Sequence, residues 1–216
     1  MVAQITSGTA FDKHGRPFRR RNYLPGAVAL VALAAVTLLV WLMAFNQPTD
    51  VEQVASCNLP PAPTEPTQTA LGERVTAATM TEVVPAKLAD TKINVLNASG
   101  QGGQAGEVAS ALRDLGYAQP EAANDTVYAN TRLECQGQIR FGPSGRAAAA
   151  ALWLVAPCTE LFQDQRSGNT VDLAIGTEFT ELSHNDDTDA MLASLGPDAT
   201  QPADTTLLTK IHSSGC

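Results

Sequence analysis

The sequence predicts an α/β (α+β) protein: one membrane-spanning helix, then a small extracytoplasmic β-α-β-β-α-β domain with its helices on one face of the sheet. Three observations carry this reading. Residues 27–45, AVALVALAAVTLLVWLMAF, run for nineteen residues without a charge. Beyond them, a strand pattern leads twice through a turn ending in Ser-Gly into a helix pattern, at NASG and at GPSG. All four cysteines, Cys57, Cys135, Cys158 and Cys216, lie after the apolar run.

The apolar run comes first in the argument because it sets the compartment. At the helical rise it spans about 28 Å, close to the hydrocarbon thickness of a bilayer. A helix satisfies its own backbone groups, which lipid cannot do. Lys13, Arg16, Arg19, Arg20 and Arg21 precede it, and no Lys or Arg follows until Arg74. The positive-inside rule therefore places the N-terminus in the cytoplasm and the rest outside a plasma (inner) membrane. A cleaved signal peptide would have a shorter core and a small-residue cleavage site, and Asn46-Gln47-Pro48 follows here instead. A lipobox reading of Val54-Ala55-Ser56-Cys57 fails because that box should abut the apolar core.

Charge divides at the same place. Residues 1–26 carry five Lys/Arg and one acidic residue, whereas residues 46–216 carry nine Lys/Arg against twenty-one Asp/Glu. So acidic an outer part argues against nucleic acid as a partner and against docking on anionic lipid. Four cysteines in an oxidising compartment suggest two disulfides, with three connectivities open. No cysteine or histidine spacing suggests a metal site.

Residues 1–26 read as a basic cytoplasmic tail and 27–45 as the transmembrane helix. Residues 46–89 read as a Pro-rich linker and lead-in, with a short helix before Pro85. The domain occupies 90–182. Lys92–Leu96 reads as a strand, followed by a Gly-rich turn. Ala105, Val108, Leu112 and Leu115 form one helical stripe, with Gly116 placed to end it. A strand around Tyr117–Ala123 is confined to an edge by Pro120. Gln138–Phe141 reads as the next strand, residues 146–156 as a helix stopped by Pro157, and Thr170–Ile175 as the last strand. Residues 183–216 hold a helix at Asp186–Leu195, capped by Asn185 and ended by Gly196, and then a tail.

In this order of elements, Cys158 after the second helix returns to the end of the sheet where Cys135 starts the third strand. Cys135–Cys158 is the preferred pair, which leaves Cys57–Cys216 by elimination.

With the first strand, turn and helix in view, the chain resembles the LytR C-terminal (LytR_C) family. Val95-Leu96-Asn97-Ala98-Ser99-Gly100, Gly103, Ala105, Val108, Ala109, Leu112 and Gly116 carry the likeness, and Ile139-Arg140-Phe141-Gly142 with the Ala-rich helix repeats it. The resemblance covers about residues 90–180. It implies a role in maintaining the cell envelope, with no established enzymatic activity. In related chains this domain often follows a phosphotransferase domain that attaches glycopolymers to the wall, and residues 46–89 leave no room for one. The resemblance thus implies a binding or scaffold protein for envelope integrity, its partners being envelope proteins or wall glycopolymers. The alternative is an accessory or regulatory subunit of a wall-glycopolymer transferase.

Two candidate sites follow from the residues. If the strands at 92–96 and 138–141 are parallel neighbours, both helices start at one edge of the sheet. Their free N–H groups would then converge on an anion near Asn97, Ser99, Gly100, Gly102, Gly103, Ser144, Gly145 and Arg146. Ordinary capping and flexible glycines account for the same residues. Ala147–Val155 is apolar all round, and reads either as core or as a partner surface built on Leu152, Trp153 and Leu154.

Other chemistry fares poorly. Gly100, Gly102 and Ala105 fit a dinucleotide fingerprint, but the domain is too small for two nucleotide-binding halves, so no cofactor is expected. The acidic run at 186–189 lacks the glycine and distal Glu of a calcium loop. No serine has a base near it in sequence, and no catalytic residues are assigned.

Overall fold

The structure is a computed structural model that describes residues 23–45, 56–61, 71–199 and 203–213. The basic tail, most of the Pro-rich linker and Cys216 lie outside these residues. The chain divides into two compact units, residues 1–50 and 51–216.

In the first unit α1, Leu24–Phe45, has 22 residues. At 1.5 Å per residue it is about 33 Å long. Its window Leu24–Trp41 has a mean hydropathy of 2.3, so the helix is long and apolar enough to cross a membrane. Pro25 sits in the first turn, where its missing N–H removes no helical bond. The one hydroxyl, that of Thr37, donates to the Leu33 carbonyl at 2.8 Å and so needs no water.

The second unit is built on a six-stranded sheet ordered β1-β5-β4-β6-β2-β3. Its strands are β1 Glu73–Val75, β2 Lys92–Asn97, β3 Ala118–Asn124, β4 Gly137–Phe141, β5 Glu160–Gln163 and β6 Val171–Ile175. The helices are α2 Ala77–Thr81, α3 Gln104–Asp114, α4 Arg146–Trp153, α5 Asp186–Ser194 and α6 Thr205–Ser213.

Two βαβ units are evident. β2 and β3 are parallel neighbours joined by α3, and β4 and β5 are parallel neighbours joined by α4. β6 lies between them, parallel to β2 and antiparallel to β4. The expected β-α-β-β-α-β order is present, with two strands added. β1 is only three residues long, and β5 follows directly on the helix stop at Pro157, so neither has the length for a clear alternating pattern.

The stripe on α3 buries Ala105, Val108, Ala109 and Leu112. Gly116 then takes φ +96°, and its N–H bonds the Arg113 carbonyl while that of Tyr117 reaches Leu112. This is the left-handed helix stop that glycine permits. β3 is an edge strand, as Pro120 requires. Its register shifts between Lys92 and Asn94, with Gln119 bulged at φ +38° just before the proline. Asn185 caps α5 by accepting the Thr188 N–H at 2.9 Å.

Strand alternation sorts the sheet into two faces. Ile93, Val95, Ile139, Phe141, Leu161, Val171, Leu173 and Ile175 share one core with side chains from α3, α4, α5 and α6. The helices therefore lie on one face. The hydroxyl of Tyr117, just before β3, donates to the Ala151 carbonyl of α4 at 2.7 Å within that core. A smaller cluster of Ala98, Val127, Tyr128, Leu133, Cys135 and Ala174 covers one end of the opposite face.

Candidate functional site: the polar face of the sheet

The helix-free face is where the sequence is least like a core. Register aligns Asn94, Asp172, Arg140, Phe162 and Arg74 in one row across five strands, and Leu96, Ala174, Gln138 and Glu160 in the next. Polar and charged side chains thus stand where a buried sheet would carry Val or Ile.

Arg140 anchors this face and is almost fully buried. Its guanidinium donates to Asp125 Oδ2 at 2.6 Å and, through Nε and a second terminal nitrogen, to Gln138 Oε1 at 3.2 and 2.9 Å. It also lies 5.7 Å from the Tyr128 ring centroid. Gln138 Nε2 donates to the Tyr128 hydroxyl at 3.3 Å. Asp125 accepts the Tyr128 N–H at 2.7 Å, and its own N–H bonds the Asn97 carbonyl. The loop after β3 is thereby folded back onto the sheet by one ion pair and its neighbours.

A second cluster adjoins the first. Arg166 bridges Asp164 and Asp172 at 2.6 and 2.7 Å, and Asn94 Nδ2 donates to Asp172 Oδ1 at 2.9 Å. Burial pushes the Asp164 carboxyl up, but the hydrogen bonds and charge of Arg166 outweigh it and hold it below its ordinary value. Burial likewise acts to lower the Arg166 pKa, and the two carboxylates raise it instead. Gly142 lets this cluster close: a Cβ there would overlap the Arg166 carbonyl oxygen.

The third part arrives from far along the chain. Residues 56–61 cross the rim of this face as a strap. The Cys57 N–H donates to Glu160 Oε1 at 3.1 Å, and Arg74 pairs with the same carboxylate at 3.2 Å. The Asn58 side chain donates to the Arg132 carbonyl at 2.9 Å and accepts the Glu134 N–H at 2.7 Å. The Tyr128 hydroxyl donates to the Asn58 carbonyl at 2.7 Å. A Cys57–Cys135 disulfide fixes the strap.

That disulfide corrects both expected pairs, Cys135–Cys158 and Cys57–Cys216. Cys135 and Cys158 do return to one end of the sheet, but Cys135 packs in the cluster on the helix-free face. Cys158 follows α4 in the chain. Cys158 is itself disulfide-bonded.

The anion site is corrected too. β6 runs parallel to β2 but antiparallel to β4, so α3 and α4 begin at opposite ends of the sheet. Asn97, Ser99, Gly100, Gly102 and Gly103 are at one end, and Ser144, Gly145 and Arg146 at the other. The turn also spends its own donors. The N–H groups of Ser99 and Gly100 bond Asn97 Oδ1 at 3.2 and 3.1 Å, and that of Gln101 bonds Ser99 Oγ at 3.1 Å. Asn97 serves as a turn former here.

The partner surface on α4 is corrected as well. Leu152, Trp153 and Leu154 are 0%, 4% and 0% exposed and belong to the core. The His212 ring of α6 stacks on Trp153, with centroids 3.6 Å apart and planes inclined by 12°. The C-terminal segment thus covers the helix.

Among the described residues no group of three or more His, Cys, Asp or Glu is placed to hold a metal ion. The charges of the polar face are spent on one another, and Asp125, Gln138, Arg140, Glu160 and Asp172 are all buried. Sequence reasoning missed it because its members, Asn94, Asp125, Gln138, Arg140, Glu160 and Asp172, are scattered over 79 positions. The signals were Gln138 and Arg140 in β4 and Asp172 in β6, polar side chains at strand positions that a core would fill with apolar ones.

Comparison with known proteins places the chain. Residues 90–179 match the family LytR_C, described as LytR cell envelope-related transcriptional attenuator. Over its full 216 residues the chain is 62% identical to the cell envelope integrity protein Cei of Mycobacterium tuberculosis (strain ATCC 25618 / H37Rv), covering 100% of both. Among solved structures it resembles the soluble domain (residues 71–217) of a conserved hypothetical secreted protein from Mycobacterium marinum. The identity there is 66% and the TM-score 0.67, over 68% of this chain and 99% of that one. The likeness across the whole length places it: the chain belongs to the family of the cell envelope integrity protein Cei and carries a LytR_C domain at residues 90–179.

Proposed function

We propose that the protein is a non-catalytic binding and scaffolding module that supports cell-envelope integrity. It is held in the plasma membrane by α1, with its N-terminus inside and its sheet domain outside. The observation that carries this reading is the full-length likeness to a cell envelope integrity protein, shared by the anchor and the domain alike. The basic residues before α1 and the acidic composition after it support the orientation. Anchoring raises the local concentration of any membrane-proximal partner, so a modest intrinsic affinity suffices.

The rim of the polar face, where Arg132 and Glu134 are exposed, is the surface best suited to recognition, because the buried side chains beneath it hold one shape and little entropy remains to be lost on binding. A photo-crosslinking residue at the exposed position Glu134, in the full chain in growing cells, tests the reading. A discrete adduct with an envelope protein or a wall glycan supports it. Capture of a wall-polymer transferase would favour an accessory-subunit role, and turnover of a labelled wall precursor by the purified chain would overturn the non-catalytic reading.

A further inference from the structure

The strap makes its contacts as a bound peptide would. Asn58 offers an amide to the Arg132 carbonyl and takes the Glu134 N–H, which is the bonding of a strand bridge made by one side chain. The flanking backbone gives an N–H to Glu160 and a carbonyl to Tyr128. Each receiving group is fixed independently of the strap: Glu160 by Arg74, and Tyr128 by Asp125 and Gln138. Leu59, by contrast, is 86% exposed, so the recognised part is the polar Cys57–Asn58 dipeptide. The domain of the Mycobacterium marinum relative was crystallised as its residues 71–217, without the segment that precedes them.

We propose that this ground is a docking groove for an extended, uncharged polypeptide presenting an asparagine, and that residues 56–61 are its intramolecular occupant. The partner is then a protein with such a segment, which deepens the binding-module reading and rests on it. Vacating the groove requires thiol–disulfide exchange with a dithiol reductant. One thiolate of the reductant attacks the half-buried Cys57 sulfur, and Cys135 leaves as a thiolate. The second thiol of the reductant then displaces Cys57, so two electrons pass to the former cystine and the reductant becomes the disulfide. Emptied, the groove leaves the Glu160 carboxylate, the Tyr128 hydroxyl and two backbone groups of residues 132–134 seeking partners. Those four groups are the ones that a competing segment would satisfy.

The test uses residues 71–216 carrying Cys135→Ser, a span that the relative shows to fold alone. The probe is a capped peptide of residues 55–61 carrying Cys57→Ser. Saturable NMR shifts at Tyr128, Arg132, Glu134 and Glu160 are expected, with binding at least tenfold weaker for the peptide that also carries Asn58→Ala. The oxidised full chain should bind the peptide at least tenfold more weakly than the same chain after reduction. Absence of saturable shifts at millimolar peptide, or equal binding by the Asn58→Ala peptide, overturns the groove. Equal binding by the oxidised and reduced full chain overturns the gating. Such failures leave the crosslinking result at Glu134 standing, so the two readings are separable.

Discussion

Arg140 and Asp125 meet at 2.6 Å beneath the loop that follows β3, with both side chains nearly sealed from solvent. Arg140 is fixed by the sheet, Asp125 by the bond of its N–H to Asn97 and by its acceptance of the Tyr128 N–H. The pair converts a one-sided sheet into a surface with a definite shape.

Breaking the pair on one side should cost about 3–5 kcal/mol, because the remaining charge stays buried without its partner. Arg140→Leu alone and Asp125→Leu alone are each expected to lower the urea midpoint strongly. The double variant should recover much of the loss. Additive losses in the double variant would show that the two residues act separately.

Trp153 is core, so Trp153→Ala should destabilise the domain by about 3–5 kcal/mol. A surface role would predict a change below about 0.5 kcal/mol. Urea unfolding followed by far-UV circular dichroism distinguishes the two.

His212 makes stability depend on pH. Burial against Trp153 pushes its pKa down from 6.5 to about 4. The unfolded chain therefore takes up the proton first as pH falls. The ring's contribution is complete above pH 6.5, is lost progressively as pH drops towards 4, and changes little below that. The loss is at most about 3 kcal/mol, and less because water reaches part of the ring. Comparing urea midpoints at pH 7 and pH 4.5 for the natural chain and His212→Phe isolates it. The variant keeps a stacking ring and should show the smaller fall.

The Cys57–Cys135 bond closes 78 residues of chain. Removing it with Cys57→Ser should cost about 2–4 kcal/mol and leave the fold intact. Peptide mapping without reduction should find Cys57 joined to Cys135. With that pair made, Cys158 should be joined to Cys216. A Cys135–Cys158 peptide would contradict the strap.

How far the fold was legible depends on the length of each pattern. α1 could be read directly, because a nineteen-residue run that is uncharged and almost wholly apolar has the length and composition of a spanning helix. The α3 stripe and its Gly116 stop could be read too, as could the cap at Asn185. β1 and β5 could not, since three or four residues carry no usable period. The direction of β4 relative to β2 was hidden for a different reason. It depends on β6 returning to the centre of the sheet, a non-local choice that no local residue pattern records. The anion site fell with that direction, and the disulfide pairing fell because no local pattern brings the Cys57 segment onto Cys135, 78 positions away. The polar face shared the same obstacle: its rows exist only once the strands are in register.

The most direct test of the account is protease treatment of intact spheroplasts carrying the full chain with an N-terminal epitope. The account predicts that external protease removes the domain and leaves a short, epitope-bearing fragment that stays with the membrane. A chain that survives until the spheroplasts are lysed, or an epitope that is lost from outside, would contradict it.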